Sequence, residues 1–279
     1  MSSDLSKLIE TGFEVEFHSH AKAILTVDFP QALMELEEVL LGLTIPIEEI
    51  VGSGGGETKG TQRLRRGLAA KQWVKTKFEI QKSINGVKAE SISHEVDHVR
   101  SFIEGEGARP KMLALEIEWN NKDPFFDRDL ENFKRLHAEG AISVGIVVTR
   151  GASLQQELRD LVRKWADQND IDGYDALEAL GVTPTRRQKQ EVLKRTGRER
   201  NPLSFRDAWT DHFVSDKFGV ATTHWSKLAD RVQRGVGNPC PLLLIGLPSS
   251  IVTFGEDKGV IAALLEEGAE DWPLDMFEI

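Results

Sequence analysis

An α/β fold with a mixed sheet flanked by helices is what this chain predicts, from three observations. Residues 112–119 alternate between apolar and polar positions, Ile142 to Thr149 forms a short apolar run, and helical spacing follows each of them, over 127–137 and 154–165. Alternation marks an amphipathic strand and a short apolar run marks a strand buried on both faces. The order is strand, acidic strand, helix, buried strand, helix, which builds a layered α/β unit.

The elements follow in chain order. Residues 4–11 read as a short helix, and Phe13, Val15 and Phe17 alternate with Glu14 and Glu16 as a strand. After Pro30, Leu33, Leu36, Val39 and Leu40 give Gln31 to Leu41 helical spacing. Gly52-Ser-Gly-Gly-Gly56 breaks regular structure and opens a basic amphipathic helix over Thr61 to Trp73. Lys77 to Gln81 and Val87 to Ile92 flank Asn85-Gly86, a dipeptide suited to the positive φ angles of a two-residue hairpin turn. His94 to Ile103 continues in strand spacing, and Gly105 to Pro110 supplies the turn into Met112 to Trp119. Pro124 ends that strand, and the next helix, Asp127 to His137, gathers Phe126, Leu130, Phe133 and His137 on one side. Residues 172–216 are polar and mostly helical, and Leu242 to Leu247 and Ser250 to Phe254 read as late strands. With neither an internal repeat nor a low-complexity linker, one elaborated domain over 1–279 is expected. Its parts are a core at about 75–165, a basic segment at about 52–77 and helical and strand additions over 166–279.

The net charge of −10 on 279 residues hides an uneven distribution. Residues 1–50 carry a net −8 and residues 256–279 a net −7, which leaves the middle at +5. Residues 59–88 hold nine basic side chains (Lys59, Arg63, Arg65, Arg66, Lys71, Lys75, Lys77, Lys82 and Lys88) against one acid, Glu79. Such clustering is the electrostatic footprint of a phosphate-binding surface. A second basic cluster runs through Arg186, Arg187, Lys189, Lys194, Arg195, Arg198 and Arg200. The single cysteine, Cys240, excludes an intramolecular disulfide and a thiolate metal cluster, and its place between Pro239 and Pro241 suits core packing. No apolar segment approaches membrane-spanning length and the N-terminus lacks a basic stretch followed by an apolar run, so a cytoplasmic protein is expected.

The chemistry points to Asp97, Glu116 and Glu118. On a strand, Leu113, Leu115, Ile117 and Trp119 share one face while Glu116 and Glu118 project together from the other. A hard cation such as Mg2+ takes oxygen ligands, and Asp97 on the preceding segment supplies a third carboxylate. The plain alternative is a solvent-facing pair of glutamates on an amphipathic strand. His94-Glu-Val-Asp-His98 offers a rival, because it matches the H-E-x-x-H pattern of zinc peptidases. That pattern needs a helix; in a strand the two histidines stand about 13 Å apart, too far to share one zinc. Gly52 to Gly60 lacks the G-K-[ST] ending of a phosphate loop. His212 and His224 read as structural histidines.

Placed in this order, the layout resembles the PD-(D/E)XK nuclease core. The strings His94-Glu-Val-Asp-His-Val, Leu115-Glu-Ile-Glu-Trp-Asn-Asn-Lys-Asp-Pro-Phe-Phe-Asp-Arg-Asp-Leu and Ile142-Ser-Val-Gly-Ile-Val-Val-Thr-Arg-Gly are similar to the BglII/BstYI family of type II restriction endonucleases. The likeness is clearest over about 50–152; beyond it Thr222-Thr-His-Trp-Ser-Lys and Gly237-Asn-Pro-Cys-Pro also fit. The resemblance implies a Mg2+-dependent, site-specific endonuclease acting on double-stranded DNA as a homodimer at a palindrome. Asp97 and Glu116 would be metal ligands, and Glu118 stands where the family pattern usually has lysine. Glu118 would then be a base or a further ligand, Lys122 could supply the displaced charge, and Glu79 is a candidate extra ligand. Lys59, Arg63, Arg65, Arg66, Lys71, Lys75 and Lys77 would line the DNA. A non-catalytic DNA-binding protein on the same scaffold is the alternative from another class.

Overall fold

The computed structural model describes residues 3–52, 58–103, 105, 107 and 109–255. The N-terminal part contains α1 (Ser6–Glu10), β1 (Glu14–His18), α2 (Ala21–Asp28), α3 (Pro30–Leu41), β2 (Ile45–Pro46), α4 (Ile47–Gly52) and α5 (Lys59–Ala70). The middle contains β3 (Val74–Ile84), β4 (Val87–Phe102), β5 (Lys111–Glu118), α6 (Phe125–Ala138), β6 (Val144–Arg150) and α7 (Ala152–Gln168). Four helices follow, α8 (Tyr174–Ala179), α9 (Arg186–Thr196), α10 (Phe205–Lys217) and α11 (Trp225–Gln233), then β7 (Leu242–Leu247) and β8 (Val252–Thr253).

Six strands form one mixed sheet in the order β1-β7-β6-β5-β4-β3. The trio β5, β6 and β7 is parallel, and antiparallel strands close both sides. β6 and β7 are buried along their whole length, which is why residues 144–148 and 242–247 read as unbroken apolar runs rather than alternations, while Thr149 and Arg150 are buried polar residues at the end of β6. One sheet face, carrying Leu113, Leu115, Ile146 and Ile245, packs on α3, α5 and α7. The other, carrying Ala114, Val147 and Leu244, packs on Phe126, Leu130 and Phe133 of α6 and Leu228 of α11. Cys240 belongs to this second core, and burial pushes its thiol up to about 12.

The hairpin forms at the expected dipeptide: Ile84 pairs with Val87, and Asn85 and Gly86 take φ angles of 50° and 80°. The basic helix starts two residues earlier than its spacing suggests, at Lys59. Thr58 caps it by accepting from the Thr61 backbone amide, and Leu64 and Leu68 bury against α3. Helix α2 escapes the sequence reading because His18 to Lys22 interrupts the apolar pattern; Ser19 and His20 turn the chain with positive φ. Only Val252–Thr253 of the last expected strand is extended, because Ser249–Ile251 forms a 3-10 turn first. Ser53 to Gly56 of the glycine loop, the acidic stretch 256–279 and part of the turn over 105–110 lie outside the described residues.

A buried ion pair ties this frame to the site. Glu35 of α3 accepts from both Nε and Nη2 of Arg100 on β4, at 3.1 and 3.0 Å, and from the indole of Trp73 at 2.9 Å. Two charges removed from water are tolerated here because a fork meets a carboxylate and two further donors, the Trp73 indole and the Gln31 side-chain amide at 2.8 Å, complete its set.

Candidate active site

The site begins at a defect in the sheet. Thr76 pairs with Val96 and Val74 with Val99, so Asp97 and His98 together stand opposite the single residue Lys75. This is a β-bulge, and it reverses the facing of β4: Val96 and Val99, three residues apart, enter the same core cluster. β4 pairs with β5 only from His98 onward, so the two strands part where Asp97 faces Glu116. The backbone amide of Asp97 reaches the Glu116 carboxylate across that gap.

Glu116 and Glu118 do share the face opposite Leu113 and Leu115, but that face is covered by α6. Glu116 is 8% and Glu118 3% exposed, which removes the reading of a solvent-facing pair. Burial, then repulsion from Asp129, Asp97 and Glu118, pushes the Glu116 carboxyl up to about 9. Burial and Asp129 push Glu118 up to about 8, against the Asn121 side-chain amide, which donates to its Oε2 at 2.6 Å, and the nearby Arg128. Asp97 is different: its side chain is 59% exposed, with the Lys75 ammonium 3.9 Å away and held more closely by Glu95 at 2.6 Å.

The sequence reading missed a fourth carboxylate. Asp129 of α6 is 2% exposed; its Oδ1 accepts from Arg128 Nε at 2.8 Å, and its Oδ2 is buried without a nitrogen donor. Burial raises its pKa. A signal was available, since Asp129 falls three residues after Phe126 and four before Phe133, on the apolar stripe of the helix. An acid on a buried stripe needs a partner. The positive charge beside Glu118 comes from Arg128, 3.6 Å away, and not from Lys122, which is exposed and backbone-bridged to Thr222.

Among the described residues, no group of three or more His, Cys, Asp or Glu side chains is converged to hold a metal. The donor chemistry nonetheless fits a hard divalent cation: the nearby groups are carboxylates, two of them are forced towards their neutral forms by burial, and one buried oxygen lacks a nitrogen donor. Glu79 stands apart, paired with Lys77 at 2.8 Å and opposite Ser93, about 13 Å along β4 from Asp97. His94 and His98 are on a strand, His98 within the bulge and His94 ahead of it, and do not form the helical zinc pair.

Asp97 and His98 open onto a cleft of about 1010 Å³. One wall is Thr58, Thr61 and Arg65 of the α5 region with Lys75; the other is Val182 to Pro184, Gln188, and Trp209, Phe213 and Lys217 of α10. Of the expected DNA-lining residues, Arg65 and Lys75 face this cleft. Arg63 is fastened to Glu49 at 2.6 and 2.9 Å and to the Thr44 carbonyl, Lys71 to Glu38, and Lys77 to Glu79; Arg66 is exposed and Lys59 opens the helix. The α10 wall was not legible as part of a site. There Lys217 donates to the Ile50 carbonyl and lies over Phe213 and Phe218, with burial pushing its amine down to about 8.

A mixed sheet whose acidic strand parts from its neighbour at an aspartate-bearing bulge, beside a cleft lined by Arg65, Lys75 and Lys217 together with Asp97 and Asp216, fits a DNA-cleaving nuclease of the restriction-endonuclease class. The comparison with protein families agrees. The model for restriction endonuclease BglII/BglIII matches residues 13–247, and the chain belongs to that family. A search of curated proteins returned no match.

Proposed function

We propose that the protein is a Mg2+-dependent type II restriction endonuclease that cuts double-stranded DNA at a palindromic site as a homodimer in the cytoplasm. We read residues 1–279 as one elaborated nuclease domain. The observation that carries the catalytic part is the pair of buried glutamates, Glu116 and Glu118, next to the bulged Asp97. Asp97 and Glu116 would hold the ion, with Glu118 as a further ligand or the base. When bound, the cation supplies Lewis-acid polarisation of the scissile phosphate and lowers the pKa of water.

The chain's own side chains do the rest. Arg65 and Lys75 neutralise the strand entering the cleft, and Lys75 leaves Glu95 or Asp97 as it meets phosphate. Asn121 fixes Glu118 by donating to its Oε2, which leaves Oε1, beside Arg128, as the oxygen that would bind the ion or take a water proton. Arg63 and Lys71 serve the reading indirectly, by pinning α5 to α4 and α3 so that Arg65 keeps its place. Two-fold symmetry would present two such sites to a palindrome, one to each strand.

The reading is tested with supercoiled plasmid in Mg2+. Wild type should linearise it, EDTA should stop the reaction, and Asp97→Ala or Glu116→Gln should lower the rate by orders of magnitude while DNA binding persists. DNA binding by wild type without any metal-dependent cleavage would favour the other reading, a non-catalytic DNA-binding protein.

A further inference from the structure

The buried acids already have one cation within reach, and it belongs to the chain. Arg128 is anchored on the first turn of α6, its side chain 54% exposed and its guanidinium 4.4 Å from the Phe125 ring centroid. From that exposed position its Nε donates to Asp129 Oδ1 at 2.8 Å while Nη2 stands 3.6 Å from Glu118 Oε1. Both acceptors are almost fully buried, so a solvent-based arm reaches inward to meet them. The pairing is incomplete. Asp129 Oδ2 is buried without a nitrogen donor, Asp129 and Glu118 share a carboxyl–carboxyl hydrogen bond, and Glu116 is crowded by Asp129, Asp97 and Glu118, so one guanidinium serves a group of closely packed acids.

We propose that Arg128 is the resident counter-cation of this cluster: it stabilises the metal-free carboxylates, competes with a divalent ion for Glu118, and is displaced from Glu118 when that ion binds. Asp129 is the positioning residue that keeps the guanidinium at the rim. The inference rests on the proposed function, since it needs a divalent ion at Glu116 and Glu118. The physical ground is simple. A unit positive charge 3.6 Å from a ligand oxygen repels any second cation at that oxygen, and in a partly buried site the repulsion is only weakly screened. Arg128 can yield because its side chain is 54% exposed and the Phe125 ring, already 4.4 Å from the guanidinium, continues to hold it at the rim. Lys75 is less suited to this role, as Glu95 already holds it.

The test is calorimetric titration of the full-length protein with Mn2+ and Ca2+, without DNA, comparing wild type, Arg128→Gln and Arg128→Lys. Removing the competing charge should tighten metal binding by about tenfold or more, and should lower the Tm of the metal-free protein. Arg128→Lys keeps the charge and should bind the ion close to wild type, which also controls for lost contacts on Phe125. A merely structural arginine gives the opposite sign, because a loosened site binds metal more weakly. Equal or weaker binding by Arg128→Gln, with wild type binding normally, overturns the inference alone. A wild-type protein that binds neither ion overturns the proposed function and the inference with it.

Discussion

Burial of Glu116 beneath α6, with Asp129, Asp97 and Glu118 nearby, pushes its carboxyl from the ordinary 4.5 up to about 9. The unfolded chain therefore releases this proton near 4.5 while the folded protein keeps it until about 9. Between those values the native state binds more protons, so stability falls as pH rises. Thermal melts in EDTA should show Tm declining between pH 6.5, the ordinary histidine value above which buried His98 is neutral in both states, and about pH 8, above which buried Lys217 opposes the trend. Glu116→Gln, which cannot ionise, should flatten the decline and be the more stable protein at the basic end, although under the proposed function it should not cleave. A wild-type Tm that rises over the same window would contradict the burial. At the cleft, Arg65→Ala and Lys75→Ala should each lower the salt slope of DNA binding by about one unit, measured in Ca2+ to suppress cleavage. Arg63→Ala should act mainly through stability, since Arg63 is spent on Glu49.

At the scale of elements, the packing of α6 on β6 decides whether the acids meet. Gly145 lies directly beneath the Phe133 ring, and a Cβ there would overlap it. Gly145→Ala should therefore cost about 1–3 kcal/mol in denaturant unfolding and, by lifting α6, weaken the metal binding proposed at Glu116 and Glu118. Truncating Glu35 should cost about 3–5 kcal/mol, because it strands Arg100 in a buried setting and removes the acceptor of Trp73. The strands were legible for a local reason: period-two alternation in 112–119, a turn dipeptide at Asn85-Gly86 and apolar runs in 142–149 and 242–247 are each contained in a few residues. The bulge was not, because an extra residue in one strand is defined only against its partner, Lys75. Asp129 was half legible, as its place on the apolar stripe shows in the sequence but its neighbours Glu116 and Glu118 do not. The basic segment was legible as charge; which side chains face a cleft and which pair with Glu38, Glu49 and Glu79 depends on contacts up to 33 residues away.

Across the whole molecule, residues beyond the acidic strand complete the site region: α10 supplies the second wall of the cleft, and Thr222 and Thr223 brace Arg150 and the segment after Glu118. A homodimer is expected from the symmetry of the proposed reaction, and light scattering of the protein with and without DNA checks it; a monomer in both states, nicking one strand, contradicts that part. The most direct test of sequence-specific, metal-dependent cleavage is to digest mixed-sequence DNA in Mg2+ and sequence the fragment ends. The account predicts discrete ends that share one short two-fold symmetric sequence, cut at equivalent positions on both strands, and none in EDTA. Ends scattered without a common sequence, or an unchanged pattern from Glu116→Gln, would contradict it.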